Sequence, residues 1–450
     1  MNFISTRQST IGRFILLLFV SLSLVSDGFA QGNGGKSDAE SLVTEFDVNG
    51  LKVLYKRRPN APTVSAGLFL RGGARNFSAE NAGIEAMMLE TAAEASKKFP
   101  REVFRKELSR MGSSIGAGVN PDFSVISMAS TRQNFDRTWE LFTDAALNPA
   151  FTPEDFARVK DKALVGLRNR SISPDNVLNI QQERVIYANH PYSNDPSGTI
   201  ETIGKLKIED LRDYHQKMMQ TSRLLLVIVG DLEPATIKKQ VTEAFGKLPQ
   251  GSYKEQALPQ LSFTQATVDV TQRSLPTNYV KGIFPAPSIT DPDYHAMRVA
   301  ITILQSRVYQ EVRVRRNLSY APNAEMGDLA ANTANIYVTA VDANQAVKVM
   351  LSEIEDMKRS PVSEDIFGGL PGFFLTTYYL GQETNSAQVA ELARYELIGG
   401  GWRNAFDFLD KIRAVKPEDV QRVSQKYMKN IRFVVIGDPT AVNKEIFLRN

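Results

Sequence analysis

The sequence predicts an α+β protein made of two homologous domains. Strand-like and helix-like segments alternate along the chain, and the alternation repeats after about 210 residues, too long for a solenoid and right for a duplicated domain. Punctuation near residue 250 marks the join.

The N-terminal segment comes first. Arg7 and Arg13 precede an apolar run from Phe14 to Val25, followed by Gly28-Phe29-Ala30. That order predicts a secretory signal peptide over residues 1–30. An apolar run of about 12 residues falls well short of a ~30 Å hydrocarbon core, so no stable membrane insertion is expected. A mitochondrial presequence would be amphipathic and acid-poor, whereas this run is uniformly apolar and precedes Asp27. The chain has no cysteine, which excludes disulfides, thiolate ligands, a cysteine nucleophile and an acylated lipoprotein cysteine. Export to a bacterial periplasm is the expectation.

Beyond the leader, the chain reads as globular. It has 53 basic and 50 acidic residues, interspersed, so there is no electrostatic footprint for nucleic acid. Leu51 to Tyr55, Val64 to Leu70, Ser124 to Ser130 and Leu224 to Val229 are rich in β-branched, aromatic or other apolar residues and predict strands. Helical periodicity runs over Ala82 to Lys98, Asn134 to Leu147, Pro153 to Asn169 and Ile208 to Met219, with Thr152 as N-cap of the third.

Two anchors define the repeat. Glu154-Asp155 precedes Glu209-Asp210 much as Glu364-Asp365 precedes Glu418-Asp419. Gln216-Lys217-Met218-Met219 and a strand ending Gly230-Asp231 then correspond to Gln425-Lys426-Tyr427-Met428 and a strand ending Gly437-Asp438. Pro249, Gly251 and Pro259 punctuate the polar stretch from Leu248 to Leu261, dividing the chain into domains 31–250 and 251–450. Such a linker carries a default expectation of motion between domains unless their interface is large and apolar. One irregularity stands out in the second copy. The helix expected after Glu364-Asp365 contains Gly368, Gly369, Pro371 and Gly372, so it is expected to be kinked or to begin near Phe373.

The strand Val64 to Arg71, the turn Gly72-Gly73-Ala74-Arg75, the helix from Gly83-Ile84, and the signatures Asn189-His190-Pro191-Tyr192 and Gly198-Thr199 together resemble the insulinase/pitrilysin (inverzincin) zinc peptidases along nearly the whole chain. The resemblance implies two domains, each a mostly antiparallel sheet packed against helices, forming half of a clamshell peptidase. Active members carry His-x-x-Glu-His on that helix, where positions i and i+4 share a face and bind zinc, and a glutamate some eighty residues later completes the site. Here the aligned residues are Ala86-Met87-Met88-Leu89-Glu90, and the later position is Gly166. One carboxylate without an imidazole is no zinc site, so neither a metal site nor catalytic residues are expected in this chain. Methionine and leucine there read as a buried helix face.

No other chemistry replaces it. His190, His215 and His295 are the only histidines, none at helical ligand spacing from another, and they read as surface or hydrogen-bonded side chains. Gly112-Ser113-Ser114-Ile115-Gly116 lacks the order of a nucleophile elbow, there is no phosphate-binding glycine loop, and Gly399-Gly400-Gly401 reads as a turn.

Arg313-Val314-Arg315-Arg316-Asn317-Leu318-Ser319-Tyr320 fits the family's Arg-x-x-x-x-Leu-x-Tyr spacing. The resemblance implies that Arg313 and Tyr320 bind substrate opposite a zinc held by another subunit. A guanidinium holds a carbonyl or carboxylate and a phenol donates to an oxyanion; a surface arginine before a strand-initial tyrosine is the plainer alternative. The leading expectation is thus a substrate-binding or regulatory subunit of an exported heterodimeric zinc metallopeptidase acting on unfolded peptides. Its partner is a zinc-bearing homologous peptidase subunit, with the peptide added to a sheet edge corresponding here to Ser113 to Val119. The alternative is a catalytically inert peptide-binding or scaffold homologue. An independent hydrolase has little support.

Overall fold

The computed structural model describes residues 38–449. The signal-peptide reading over 1–30 lies outside the described residues. Residues from Asp38 onward form one compact unit, in which six strands make a first sheet and five a second.

The first sheet contains β1 (Val43–Val48), β2 (Leu51–Arg57), β3 (Thr63–Arg71), β4 (Ser114–Val119), β5 (Phe123–Thr131) and β6 (Leu224–Gly230), in the order β1-β2-β6-β3-β5-β4. The second contains β7 (Thr267–Gln272), β8 (Asn278–Pro285), β9 (Asn323–Met326), β10 (Thr333–Ala340) and β11 (Arg432–Gly437), in the order β7-β11-β8-β10-β9. Without β1 the two orders are the same walk, so the sequence repeat is a repeat of topology. Each sheet is antiparallel apart from one parallel pair, β2 with β6 and β7 with β11.

The burial of β6 explains how the halves join. Leu224-Leu225-Leu226-Val227-Ile228-Val229 has no polar alternation, and every residue is buried, the pattern of a strand covered on both faces. Leu224, Leu226 and Ile228 pack against helices of their own half. Leu225, Val227 and Val229 pack against Val389, Leu392, Ala393 and Trp402 of the other half, the first three on the helix Asn385–Ile398. The second sheet does the converse. Phe433 and Val435 of β11 face their own helices, while Val434 and Ile436 meet Leu178 and Ile186 of the first-half helix Pro174–Ile186. Each half therefore lends one helix, at the corresponding place in the repeat, to the far face of the other's sheet.

Polar contacts fix the register of this exchange. Asn385 Nδ2 donates to Thr63 O at 2.6 Å, Arg58 Nη1 to Asn385 Oδ1 at 2.9 Å, and Trp402 Nε1 to Glu45 Oε2 at 2.7 Å. On the other side, Tyr337 OH donates to Asp175 at 2.6 Å and Thr271 Oγ1 to Gln181 at 3.0 Å. An apolar interface with buried residues from both halves joins them, the condition under which motion at the linker is not the default. The linker itself, free of helix and strand over 248–266, is tied to the first half by bonds such as Thr221 N to Pro249 O at 3.0 Å.

Local boundaries follow the backbone. Thr152 caps the helix Pro153–Arg170 by accepting from Asp155 N. The helix expected over Ala82 to Lys98 is shorter, Ile84–Ala92, because Gly83 before it has φ 89° and the chain turns after Ala93. A Cβ on Gly83 would lie 2.7 Å from Gly198 Cα, and one on Gly198 2.8 Å from Ala82 O. The Gly-Thr signature thus marks a close approach of two backbones. In the second half a short helix, Glu364–Phe367, gives way at Gly368 and Gly369, and a second begins at Leu370, earlier than Phe373. Pro371 falls in its first turn, where the missing N–H is not needed.

Leu392, 2% exposed on the exchanged helix, tests the arrangement. Leu392→Ala is expected to cost about 2–5 kcal/mol and to lower the urea midpoint of both halves together. Far-UV circular dichroism and tryptophan fluorescence should trace one coincident transition. Two separable transitions would show that the halves fold independently.

Candidate functional site

The helix Ile84–Ala92 shows what occupies the former metal positions. Ala86, Met87, Met88 and Leu89 are buried, at 8%, 2%, 0% and 1% exposure. Glu90 alone reaches the surface, and Lys162 Nζ lies 3.4 Å from its Oε2. Lys162 sits one turn before Gly166 on the helix Pro153–Arg170, and a Cβ on Gly166 would meet nothing within 4 Å. An ammonium thus faces the one remaining carboxylate, and no side chain projects from the place of the second glutamate. These residues do not fit a zinc ion: three of the four positions offer no donor, and the fourth offers a single carboxylate with a lysine beside it. Among the described residues no group of three or more His, Asp and Glu is placed to hold a metal.

Sequence reading missed the charge beside this helix face. Glu85 is fully buried and accepts from Arg223 at 2.6 Å and from Tyr214 OH at 2.8 Å. Arg223 also lies over the Tyr253 ring, at 5.3 Å from its centroid. Burial and the adjacent Glu85 carboxylate push the Tyr214 phenol far up. The group anchors the helix to the segment before β6. Breaking it would leave an unpaired buried charge.

Two of the histidines make their hydrogen bonds to backbone away from this helix. His190 Nδ1 accepts from Tyr192 N at 3.1 Å, with Nε2 3.0 Å from Pro259 O. His215 Nε2 is 2.8 Å from Ala146 O, and burial lowers its pKa. His295 departs from the surface or hydrogen-bonded expectation. It is half-buried, its Nε2 has no partner among the described residues, and burial lowers its pKa to about 4.

Arg313 and Tyr320 are brought together by an irregular helix end. The helix Tyr294–Val308 continues into a π-helical stretch, Tyr309–Arg315, and leaves it through Asn317 at φ 49°. Leu318 N donates to Val312 O at 2.9 Å and its side chain packs on the core, which fixes the middle of the motif. The Arg313 guanidinium then lies 4.1 Å from the centroid of Tyr320 and 5.1 Å from that of Tyr309. Arg315 and Arg316 instead pair with Glu311. Tyr320 is 78% exposed. Tyr309, four residues before Arg313, escaped the sequence reading; its i,i+4 spacing was the available signal. The segment Ser113 to Val119 supplies β4, an edge strand of the first sheet.

A duplicated sheet-and-helix chain whose metal-bearing helix is present and whose ligands are absent defines the class: a peptidase-fold protein without the peptidase's metal centre. Residues 52–199 match Insulinase (Peptidase family M16), residues 205–369 match Peptidase M16 inactive domain, and the chain belongs to this family. Within it, the chain lacks the His-x-x-Glu-His motif and carries Ala86-Met87-Met88-Leu89-Glu90 in its place. It is 22% identical over 371 residues to the non-peptidase homolog YmxG of Helicobacter pylori, covering 80% of this chain and 85% of that one. It is 25% identical over 272 residues to the mitochondrial cytochrome b-c1 complex subunit 1 of Bos taurus, covering 60% of this chain and 56% of that subunit. The fold matches a crystal structure of a peptidase M16 inactive domain from Pseudomonas fluorescens, with TM-score 0.80, 18% identity and coverage of 88% and 98%.

Zinc analysis of the chain after loading and desalting is expected to return well below one ion per chain. One tightly bound zinc supporting chelator-sensitive peptidase activity would contradict this geometry. Restoring the ligands by Ala86→His, Leu89→Glu, Glu90→His and Gly166→Glu is expected to give little turnover, because metal affinity falls about 10–100-fold without supporting partners and position 89 is buried. Peptidase assay of that variant with added zinc is the check.

Proposed function

We propose that this chain is the substrate-binding or regulatory subunit of an exported heterodimeric zinc metallopeptidase that degrades unfolded peptides. The zinc belongs to a homologous partner subunit, where it supplies an activated water. The carrying observation is the division of parts within this chain. The metal positions hold Ala86, Leu89, Glu90 and Gly166, while Arg313 and Tyr320 are stacked together, with the phenol turned to solvent. The leader pattern before the described residues supports export to a periplasm.

The chemistry asked of this chain is limited. Arg313 binds a peptide carbonyl or carboxylate through its fork of N–H donors. Tyr320 OH donates a hydrogen bond to the oxygen that gains charge as the scissile carbonyl becomes tetrahedral. Stacking against Tyr309 and Tyr320 limits the rotamers of Arg313, so less ordering cost falls on substrate binding.

A scaffold role is the second reading. Phe373, Tyr379 and Leu380 expose an apolar surface on the helix Leu370–Gly381, at 53%, 60% and 58%, and the bovine relative is by its name a subunit of a larger complex. Kinetics of the complex co-purified with its zinc partner separates the two. Tyr320→Phe is expected to lower turnover about 100–1000-fold, the usual loss for one oxyanion donor, and Arg313→Ala to weaken substrate binding as well. Association should survive both changes. If the complexes assemble and both variants cleave within about twofold of wild type, far under that loss, the scaffold reading replaces this one.

A further inference from the structure

A cleft of about 550 Å³ lies where the exchanged helix Pro174–Ile186 crosses the second sheet. That is an ordinary size for a small-ligand site. Gln182 and Glu183 line it from the helix, with Lys281 of β8, Glu325 of β9 and Asn335 of β10 opposite. Arg170 and Asp195 close one end.

Two buried acceptors in the cleft have no donor among the described residues. Asn335 is 7% exposed and its Nδ2 donates to Glu325 Oε1 at 3.1 Å, which leaves its Oδ1 as the second polar atom of the amide. That Oδ1 is buried without a donor among the described residues, and so is Gln182 Oε1. Buried acceptors in this condition bear a desolvation cost that a donor-bearing ligand removes.

The charges favour a cation. Glu183, Asp195 and Glu325 oppose Arg170 and Lys281, three negative groups against two positive. Arg170 is already engaged, 2.7 Å from Asp195 and 3.9 Å from Glu183, and Lys281 Nζ donates to Asn179 at 2.7 Å. Among the described residues Glu325 accepts from two amides, Asn335 and, at 3.4 Å, Asn323, and it lies close enough to Lys281 to act on its charge. Burial raises the pKa of Glu183 and lowers that of Lys281, as expected where charge is poorly solvated.

We propose that this cleft binds an alkylammonium or guanidinium group, held by Asn335 Oδ1, Gln182 Oε1 and the Glu325 carboxylate. The group has N–H donors for both orphan acceptors and the charge that balances the cleft. It belongs either to a lysine or arginine side chain of a bound peptide or to a free amine. The site is separate from Arg313 and Tyr320 and stands whether or not those residues serve a peptidase.

Calorimetry on the full chain tests it with three probes: an N-acetylated peptide with one central lysine, the same peptide with norleucine, and n-butylammonium. The lysine peptide should bind and the norleucine peptide should not. Butylammonium binding as tightly as the lysine peptide identifies a free amine as the ligand, and much weaker binding identifies a peptide side chain. Glu325→Gln and Gln182→Ala should each weaken binding of the lysine peptide by about 10-fold or more, the usual scale for a lost hydrogen bond to a charged group. Circular dichroism verifies the fold of each variant, and Gln182→Ala carries the test if Glu325→Gln is misfolded. No saturable heat with any amine, tighter binding of inorganic phosphate, or amine affinity unchanged in both folded variants would overturn the proposal and leave the cleft to water.

Discussion

The reciprocal loan of one helix from each half to the other's sheet is the constraint on which the rest of the structure depends. A sheet with one bare apolar face must bury it, and each half here buries its second face largely against a helix from the other. The continuous apolar runs in β6 and β11 follow from that, since a strand covered on both sides has no place for polar alternation. β5 shows the contrast, alternating buried and half-exposed residues along Phe123–Thr131. The linker can then be a simple tether, because the helices fix the relation of the halves. The polar cleft also owes its existence to the exchange, since one wall is the borrowed helix itself.

Much of this was legible in the sequence, for reasons that differ by element. Leu224 to Val229 and Val64 to Leu70 announce themselves through apolar runs, and Thr152 announces a helix start through its short-range cap. The repeat was readable because Glu-Asp pairs and Gly-Asp strand ends recur in order. The handover of helices was not. Leu178 and Leu392 look like any core leucine, and nothing local says which sheet they will meet. The helix expected over Ala82 to Lys98 failed partly for a similar reason: Gly83, which meets Gly198 far along the chain, sets its start, while its early end comes from the turn after Ala93.

The candidate site divides the same way. The absence of metal ligands is a matter of residue identity, and so was plain from Ala86, Leu89, Glu90 and Gly166. That an ammonium from Lys162 faces Glu90 needed the packing of two helices. The buried pair of Glu85 and Arg223 joins residues 138 apart and leaves no periodic trace. Arg313 and Tyr320 were found by spacing, but their stacking depends on the π-helical turn and on Asn317, whose left-handed backbone redirects the chain. Asparagine tolerates that conformation better than most residues, a hint available only in hindsight.

The exchange also sets an order of events for a newly made chain. The first sheet can assemble once β6 has been synthesised, but the apolar face of Leu225, Val227 and Val229 stays uncovered until the helix Asn385–Ile398 arrives. Until then the first half carries an apolar face that it cannot cover with its own residues. Contacts so distant in sequence close slowly, and the waiting surface is adhesive. A truncation after the first half would leave a soluble-looking domain with a sticky back.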